Sequence, residues 1–395
     1  MLRHLVLRVV KAPSQPRRCL VTARRLCARN PPLIRDAFAS PNAVNNPEKI
    51  ITPGNYRLTN CGPPPCLRDE LLCNVSEPIR DSSNKVTVVG AGMCGIAAIN
   101  AILCQKITGH VAIVDAFPKR MEGEALDLQH GATFMGDPRI EYDTDFCASS
   151  NSKVVILTAG ARQLEDESRL DLLQRNVEIF KNIIPPLVQY SPDAIFLVVT
   201  NPVDIMTWVT WKLSNLPVHK VIGTGTQIDS SRFQFLISER LGISPSSIAA
   251  WIIGEHGDSQ VPLWSGVNVA GVQLRDIVPN IGLATDYEKW NEVHQEVIRA
   301  GMTLRCLKGY TNTAIGLCVA GIVDSILRNV NDVKSISTLV QGHHNICDEI
   351  FLSLPVALGE GGITKIIRMR MTEFEKKQLM LSAETIAKAQ KDVKV

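Results

Sequence analysis

The sequence predicts an α/β protein, a doubly wound parallel sheet followed by a mixed α+β domain. Two observations lead there. Four short β-branched runs, KVTVVG (85–90), HVAIVD (110–115), KVVILT (153–158) and AIFLVV (194–199), are apolar throughout instead of alternating, so both faces of each are expected to be buried. Stretches with helical period separate them, and such alternation builds parallel sheets covered by helices on both sides. In order, the expected helices cover 93–106, 119–135, 168–188 and 203–214. Beyond about residue 225 the pattern becomes mixed, which marks the second domain.

The chain before residue 85 reads differently. Residues 1–35 carry nine basic groups and no acid, and within MLRHLVLRVVK the residues Leu2, Leu5, Val6, Val9 and Val10 recur at helical spacing. A basic, acid-free, amphipathic start without a continuous apolar core is the composition of a mitochondrial transit peptide, and an unselected basic tail on a cytoplasmic protein is the alternative. Pro13, Pro16, Pro31, Pro32 and Pro63-Pro64-Pro65 punctuate the region to residue 65 as an extension and linker, and 66–84 reads as an N-terminal arm. A first domain is expected over 85–225, with a returning helix at about 311–329. The second would comprise 226–310 and 330–395.

Composition excludes several classes. The net charge of +3 averages a +9 leader and a −6 body, too balanced to predict nucleic-acid binding. The longest strongly apolar stretch, 194–200, is too short to span a bilayer as a helix, so no membrane insertion is expected. The eleven cysteines form no C-x-x-C pair, and reduced thiols are expected. His343, His344 and Cys347 lack a second ligand pair, so no metal site is predicted.

The first chemical motif is Gly90-x-Gly92-x-x-Gly95, set between the first strand and the first helix. Gly90 permits a tight turn, Gly92 admits a pyrophosphate close to the backbone, and Gly95 lets helix and strand approach. Asp115 ends the next strand, 25 residues after Gly90. A carboxylate there accepts from ribose hydroxyls and repels a 2′-phosphate, which favours NAD over NADP. This strand–turn–helix context is that of a Rossmann dinucleotide-binding domain.

The second constellation centres on His256 in IIGEHGDS, an imidazole in a glycine-flanked segment following an apolar run. Histidine is the side chain whose proton moves near neutral pH. Asp229 and Arg232, at i and i+3 in IDSSRF, share one face of a helix. A carboxylate beside an imidazole favours its charged form, and a guanidinium fork suits a substrate carboxylate. Singly, each fits an ordinary surface or capping role. Their combination with a nicotinamide site is what favours a functional reading of the three.

In order and spacing, VTVVGAGMCG, LTAGARQ, VTNPVDI, IDSSRF, GEHGDSQVP and KGYTNTAIG resemble the L-lactate dehydrogenase branch of the lactate/malate dehydrogenase family. The similarity runs from about residue 66 to the C-terminus. The resemblance implies an NAD-dependent enzyme interconverting pyruvate and L-lactate, assembled as a homotetramer. It makes His256 the general acid/base, Asp229 its orienting carboxylate and Arg232 the clamp on the substrate carboxylate. Arg169 would polarise the carbonyl from a mobile lid, Asn201 would bond near the reacting oxygen and the cofactor, and Thr311 would line the pocket. Arg162 would meet the cofactor phosphates. Gln163 stands where malate-type relatives place arginine, which favours pyruvate over oxaloacetate. The chain departs from its relatives at Thr313 (usually Trp), Arg305 (usually apolar), Met302 (often Tyr) and Asp166 (often Gly). These departures keep two alternatives open, a catalytically weakened NAD-binding homologue and a malate or other 2-hydroxy-acid dehydrogenase.

Overall fold

The computed structural model describes residues 84–161 and 169–395. The extension (1–65), all of the arm except Asn84, Arg162, Gln163, Asp166 and the side chain of Arg169 lie outside the described residues. Six strands form the parallel sheet: β1 (Val86–Val89), β2 (His110–Val114), β3 (Arg139–Asp143), β4 (Val154–Leu157), β5 (Ile195–Val198) and β6 (Val221–Gly223). They lie in the order β3-β2-β1-β4-β5-β6, each neighbouring pair parallel. The order reverses beside β1, so the crevice at the carboxyl ends of β1 and β4 is where such a sheet binds its ligand.

The connecting helices are α1 (Met93–Cys104), α2 (Pro118–His130), α3 (Arg169–Tyr190), α4 (Val203–Ser214) and α5 (Gln227–Leu241). All four residues of β1, β4 and β5 are buried, as their unbroken apolar runs require. Each such Val or Leu contributes about 1.5–3 kcal/mol. Two expectations needed adjustment. The helix over 119–135 is interrupted at Gly131, after which a single turn, Ala132–Met135, ends at left-handed Gly136. Strands β3 and β6 had no counterpart in the sequence reading.

The second half adds β7 (Ile252–Ile253), β8 (Val261–Pro262), α6 (Asn291–Lys308), α7 (Thr313–Leu327), β9 (Asp332–Leu339), β10 (Phe351–Gly359), β11 (Gly362–Ile366) and α8 (Glu373–Lys391). β9, β10 and β11 continue the sheet beyond β6, all antiparallel. The two halves are therefore joined along one nine-stranded sheet. A second core forms around Phe233, Trp264 and Trp290, stacked edge to face with centroids 4.8 and 6.2 Å apart.

Helix α7 returns the chain to the dinucleotide half and packs on α1. A Cβ at Gly316 would lie 2.5 Å from the Ala97 backbone, so glycine is what allows this close approach. Among the described residues, Cys94, Cys104, Cys306, Cys318 and Cys347 are free thiols.

Candidate active site

The glycine motif makes an open cradle. Gly90 has φ +108°, and a Cβ there would meet the Ala159 nitrogen at 2.7 Å. At Gly95 a Cβ would collide with the Gly90 carbonyl. Gly92 is different, because the nearest atom to its missing Cβ is the Arg120 guanidinium, 4.0 Å away. Gly92 is also the N-cap of α1 and offers no side-chain cap, leaving the first N–H groups of the helix free for an anion. Asp115 is fixed at the end of β2 by the N–H groups of Ala91 (2.6 Å) and Phe117 (2.8 Å). Each of its oxygens keeps a lone pair for a ribose hydroxyl. These residues fit a dinucleotide, because the open backbone at Gly92 could admit phosphates and Asp115 could accept from hydroxyls.

Backbone turns and clamps present His256. Gly254 follows strand β7; its φ of +84° turns the chain, and its N–H and C=O pair with Ser353 on β10, both at 2.9 Å. Ser382 on α8 accepts the Glu255 N–H at 2.8 Å. Asp204, in the first turn of α4, accepts the His256 N–H at 2.8 Å. The imidazole is thus held by its own backbone before its ring is engaged.

The ring meets Asp229 from α5. Nδ1 lies 2.5 Å from Oδ2 of Asp229, and the other carboxylate oxygen accepts from Arg232 Nη1 at 3.0 Å. Asp229 is 2% exposed, while the His256 and Arg232 side chains keep 24% and 18%. A carboxylate facing Nδ1 requires a proton there, which leaves Nε2 as the ring atom able to exchange a proton with a ligand. Among the described residues Arg232 uses one of its five N–H groups, on Asp229, which leaves the others able to meet an anion.

Charge settles the protonation. Burial opposes ionisation of Asp229, but the charges and hydrogen bonds of His256 and Arg232 outweigh it and hold its carboxyl below the usual range. Burial would likewise depress His256. The charge and hydrogen bond of Asp229, with help from Asp204, prevail and raise it above its ordinary value. Burial pushes Asp204 up to about 6.

The structure brings His256, Asp229 and Arg232 together. Asn201 follows β5 and precedes a cis bond to Pro202. Its carbonyl accepts from Asn176 Nδ2 at 3.3 Å, while Asn176 Oδ1 accepts the Ala161 N–H at 2.8 Å. One buried asparagine therefore ties the Asn201 loop to the residue preceding 162–168. The Thr311 carbonyl accepts from Cys94 Sγ at 3.2 Å, which sets the loop before α7 against the first turn of α1. Of the departures, Arg305 is exposed, so no unpaired charge is buried. Met302 is 57% exposed. Thr313 is exposed at the start of α7, with its hydroxyl 3.2 Å from Asn312 Oδ1.

Three contributors were not anticipated: Asp204, Asn176 and Arg120. Asp204 had a signal, since an acid within VTNPVDI on an apolar helix must find a partner if buried. Asn176 and Arg120 sit in polar helical stretches where nothing distinguishes them.

Comparison with known proteins places two family descriptions on this chain. Residues 84–223 match the lactate/malate dehydrogenase NAD binding domain, and 226–395 match the lactate/malate dehydrogenase alpha/beta C-terminal domain. The L-lactate dehydrogenase A chain of Danio rerio is 50% identical over 327 residues, 82% of this chain and 98% of the relative. The B chain of Bos taurus is 50% identical over 329 residues, 83% and 98% of the two chains. That of Caiman crocodilus apaporiensis is 49% identical over 328, again 83% and 98%.

Proposed function

The chain belongs to the lactate/malate dehydrogenase family, and on that premise we propose that it is an NAD-dependent L-lactate dehydrogenase with His256 as general acid and base. The observation that carries the catalytic assignment is the His256–Asp229 contact, an imidazole backed by a buried carboxylate with Arg232 alongside.

NAD, when bound, supplies the hydride acceptor and, reduced, the donor. The protein supplies position and the proton. In the direction of pyruvate, Nε2 of His256 takes the hydroxyl proton of lactate, and Asp229 stabilises the imidazolium that results. In reverse, the same nitrogen returns the proton to the carbonyl oxygen. Arg232 holds the substrate carboxylate, which fixes the carbon relative to Nε2. Asn201 and Thr311 border the reacting end. Arg169 is assigned to polarising the carbonyl and Arg162 to the cofactor phosphates, joining Gly90, Gly92, Gly95 and Asp115. Exclusion of water from the site would strengthen each of these charge interactions.

Gln163 is assigned to the far end of the substrate. A neutral amide leaves the second carboxylate of oxaloacetate without a partner and accepts the methyl of pyruvate. Pyruvate and oxaloacetate assayed with NADH test both points. Wild type is expected to turn over pyruvate at much the higher kcat/KM. In Gln163→Arg the ratio of kcat/KM, oxaloacetate over pyruvate, rises by about 10²–10³, as expected when a buried carboxylate gains a charged fork. An unchanged ratio removes Gln163 from the pocket. Tight NADH binding without turnover of either acid would make the chain a non-catalytic homologue.

We assign a homotetramer, supported by apolar side chains exposed along α6, including Leu307 at 79%, of the kind a symmetric contact covers. Sedimentation at four times the protomer mass is the expected result, and monomeric sedimentation refutes it. The acid-free, basic residues 1–35 support mitochondrial import. Fluorescent fusions with residues 1–35 should localise to mitochondria, and those without should stay cytosolic. Cytosolic signal from both would reject import.

A further inference from the structure

His256 stands inside a short turn, and one uncharged side chain from α8 gathers both ends of it. The Glu255 N–H donates to Ser382 Oγ at 2.8 Å. Ser259 Oγ lies 3.2 Å from the same oxygen and also donates to the Glu255 carboxylate, to which the Ser259 N–H adds a bond at 3.2 Å. Residues 255 and 259 are thereby bonded to each other and to Ser382, with His256, Gly257 and Asp258 spanning the gap. The clasp leaves no slack. A Cβ at Gly257 would lie 2.6 Å from Glu255 Oε1, so the carboxylate is folded against the residue that follows His256.

The sequence of α8 explains why Ser382 arrives there. Thr372 and Glu375 form a capping box at its N-terminus, and Glu375 also accepts the N–H (2.9 Å) and hydroxyl (2.7 Å) of Ser265. Glu375, Leu379 and Ser382, at i, i+4 and i+7, share one helical face, and all three are buried. The helix is thus pinned at Ser265 by its first turn and meets the 255–259 turn further along the same face. Ser382 is fully buried, so it reaches the imidazole only through that turn.

We propose that Ser382 is a positioning residue for His256, its hydroxyl clasping the 255–259 turn so that Nδ1 stays within bonding distance of Asp229. This deepens the reading of His256 as acid and base, and rests on it. The groups facing the ring decide what loosening the turn does. Asp229 and Arg232 approach from α5 and Asp204 from α4, Glu255 is carried by the turn itself, and Ser382 brings no charge. Asp229 gives the largest push raising the pKa of His256, and both its charge and its hydrogen bond weaken as the ring withdraws. A slack turn therefore lowers that pKa.

The test reads the ring without turnover. Diethyl pyrocarbonate acylates neutral imidazole, so its rate at His256, followed by peptide mass spectrometry across pH, gives the midpoint of this residue in the full-length protein. In Ser382→Ala the midpoint is expected to fall by about 0.5 pH or more, as when part of the effect of a nearby opposite charge is lost. Ser259→Ala opens the other end of the clasp and lowers it as well, and the double variant falls by less than the sum because both act on one turn. Ile386→Val loosens the buried packing of α8 outside the clasp and leaves the midpoint in place. Ser259→Ala carries the test if Ser382→Ala does not fold. An unmoved midpoint in either folded serine variant would overturn the proposal, as would an equal shift in Ile386→Val or a strictly additive double variant. A wild-type chain that failed to reduce pyruvate would refute the proposed reaction, while these midpoints would still decide the role of Ser382.

Discussion

His256→Asn is expected to lower kcat in both directions by at least about 10³-fold, because proton transfer at a positioned side chain contributes about 10²–10⁴ and the imidazolium charge disappears with it. Asparagine retains a donor for Asp229 and is shorter than the ring, so the buried carboxylate keeps a hydrogen-bonding partner. What is lost is a group that both takes and returns a proton near neutral pH. The dinucleotide cradle at Gly92 and Asp115 shares no side chain with this pair. NADH affinity, read by protein fluorescence, should therefore stay within about threefold, a change of less than 1 kcal/mol. Turnover within tenfold of wild type would mean that the proton comes from another group.

How much of this was legible in the sequence depends on whether a feature is local. Strands β1, β2, β4 and β5 were readable because each is an unbroken apolar run buried on both faces. Edge strand β3 shows mixed burial, and β6 has only three residues, ending in glycine. Neither carries a periodic signal. The fusion of the two halves was hidden for another reason. β9 is an ordinary strand by composition, and its pairing with β6 rests on a single antiparallel register contact, Ser337 with Gly223. Among the site residues, Asp229 and Arg232 were readable as a pair because i and i+3 lie on one helical face. That Asp229 meets the imidazole, while Asp204 meets the backbone of the same residue, depends on how α4 and α5 approach the Gly254 turn. Sequence spacing does not encode that.

The division of labour between these two carboxylates predicts opposite outcomes for the same substitution. Asp229→Asn should lower kcat/KM for pyruvate by about 10²–10⁴-fold at neutral pH, since the amide neither stabilises the imidazolium nor enforces the Nδ1–H tautomer. It also removes the strongest influence raising the pKa of His256. Pyruvate reduction needs the charged ring, so its activity is present at low pH and lost as pH rises through that pKa. In the variant this loss moves to lower pH. Lactate oxidation needs the neutral ring, so its rise with pH also moves lower. Asp204→Asn should act far more weakly, because its amide oxygen still accepts the His256 N–H and only a more distant charge is removed. Its pyruvate profile shifts in the same direction, by about 0.5 pH, the size expected of a screened charge that does not touch the ring. Asp204 titrates at about 6. Below that pH the native carboxyl is neutral too, so the Asp204→Asn and wild-type profiles should converge there and separate above it. The Asp229→Asn profile should stay apart from both across this range, because Asp229 remains ionised far below pH 6. Curves for Asp204→Asn that remain separated from wild type below pH 6 would show that Asp204 acts through geometry and not through its charge.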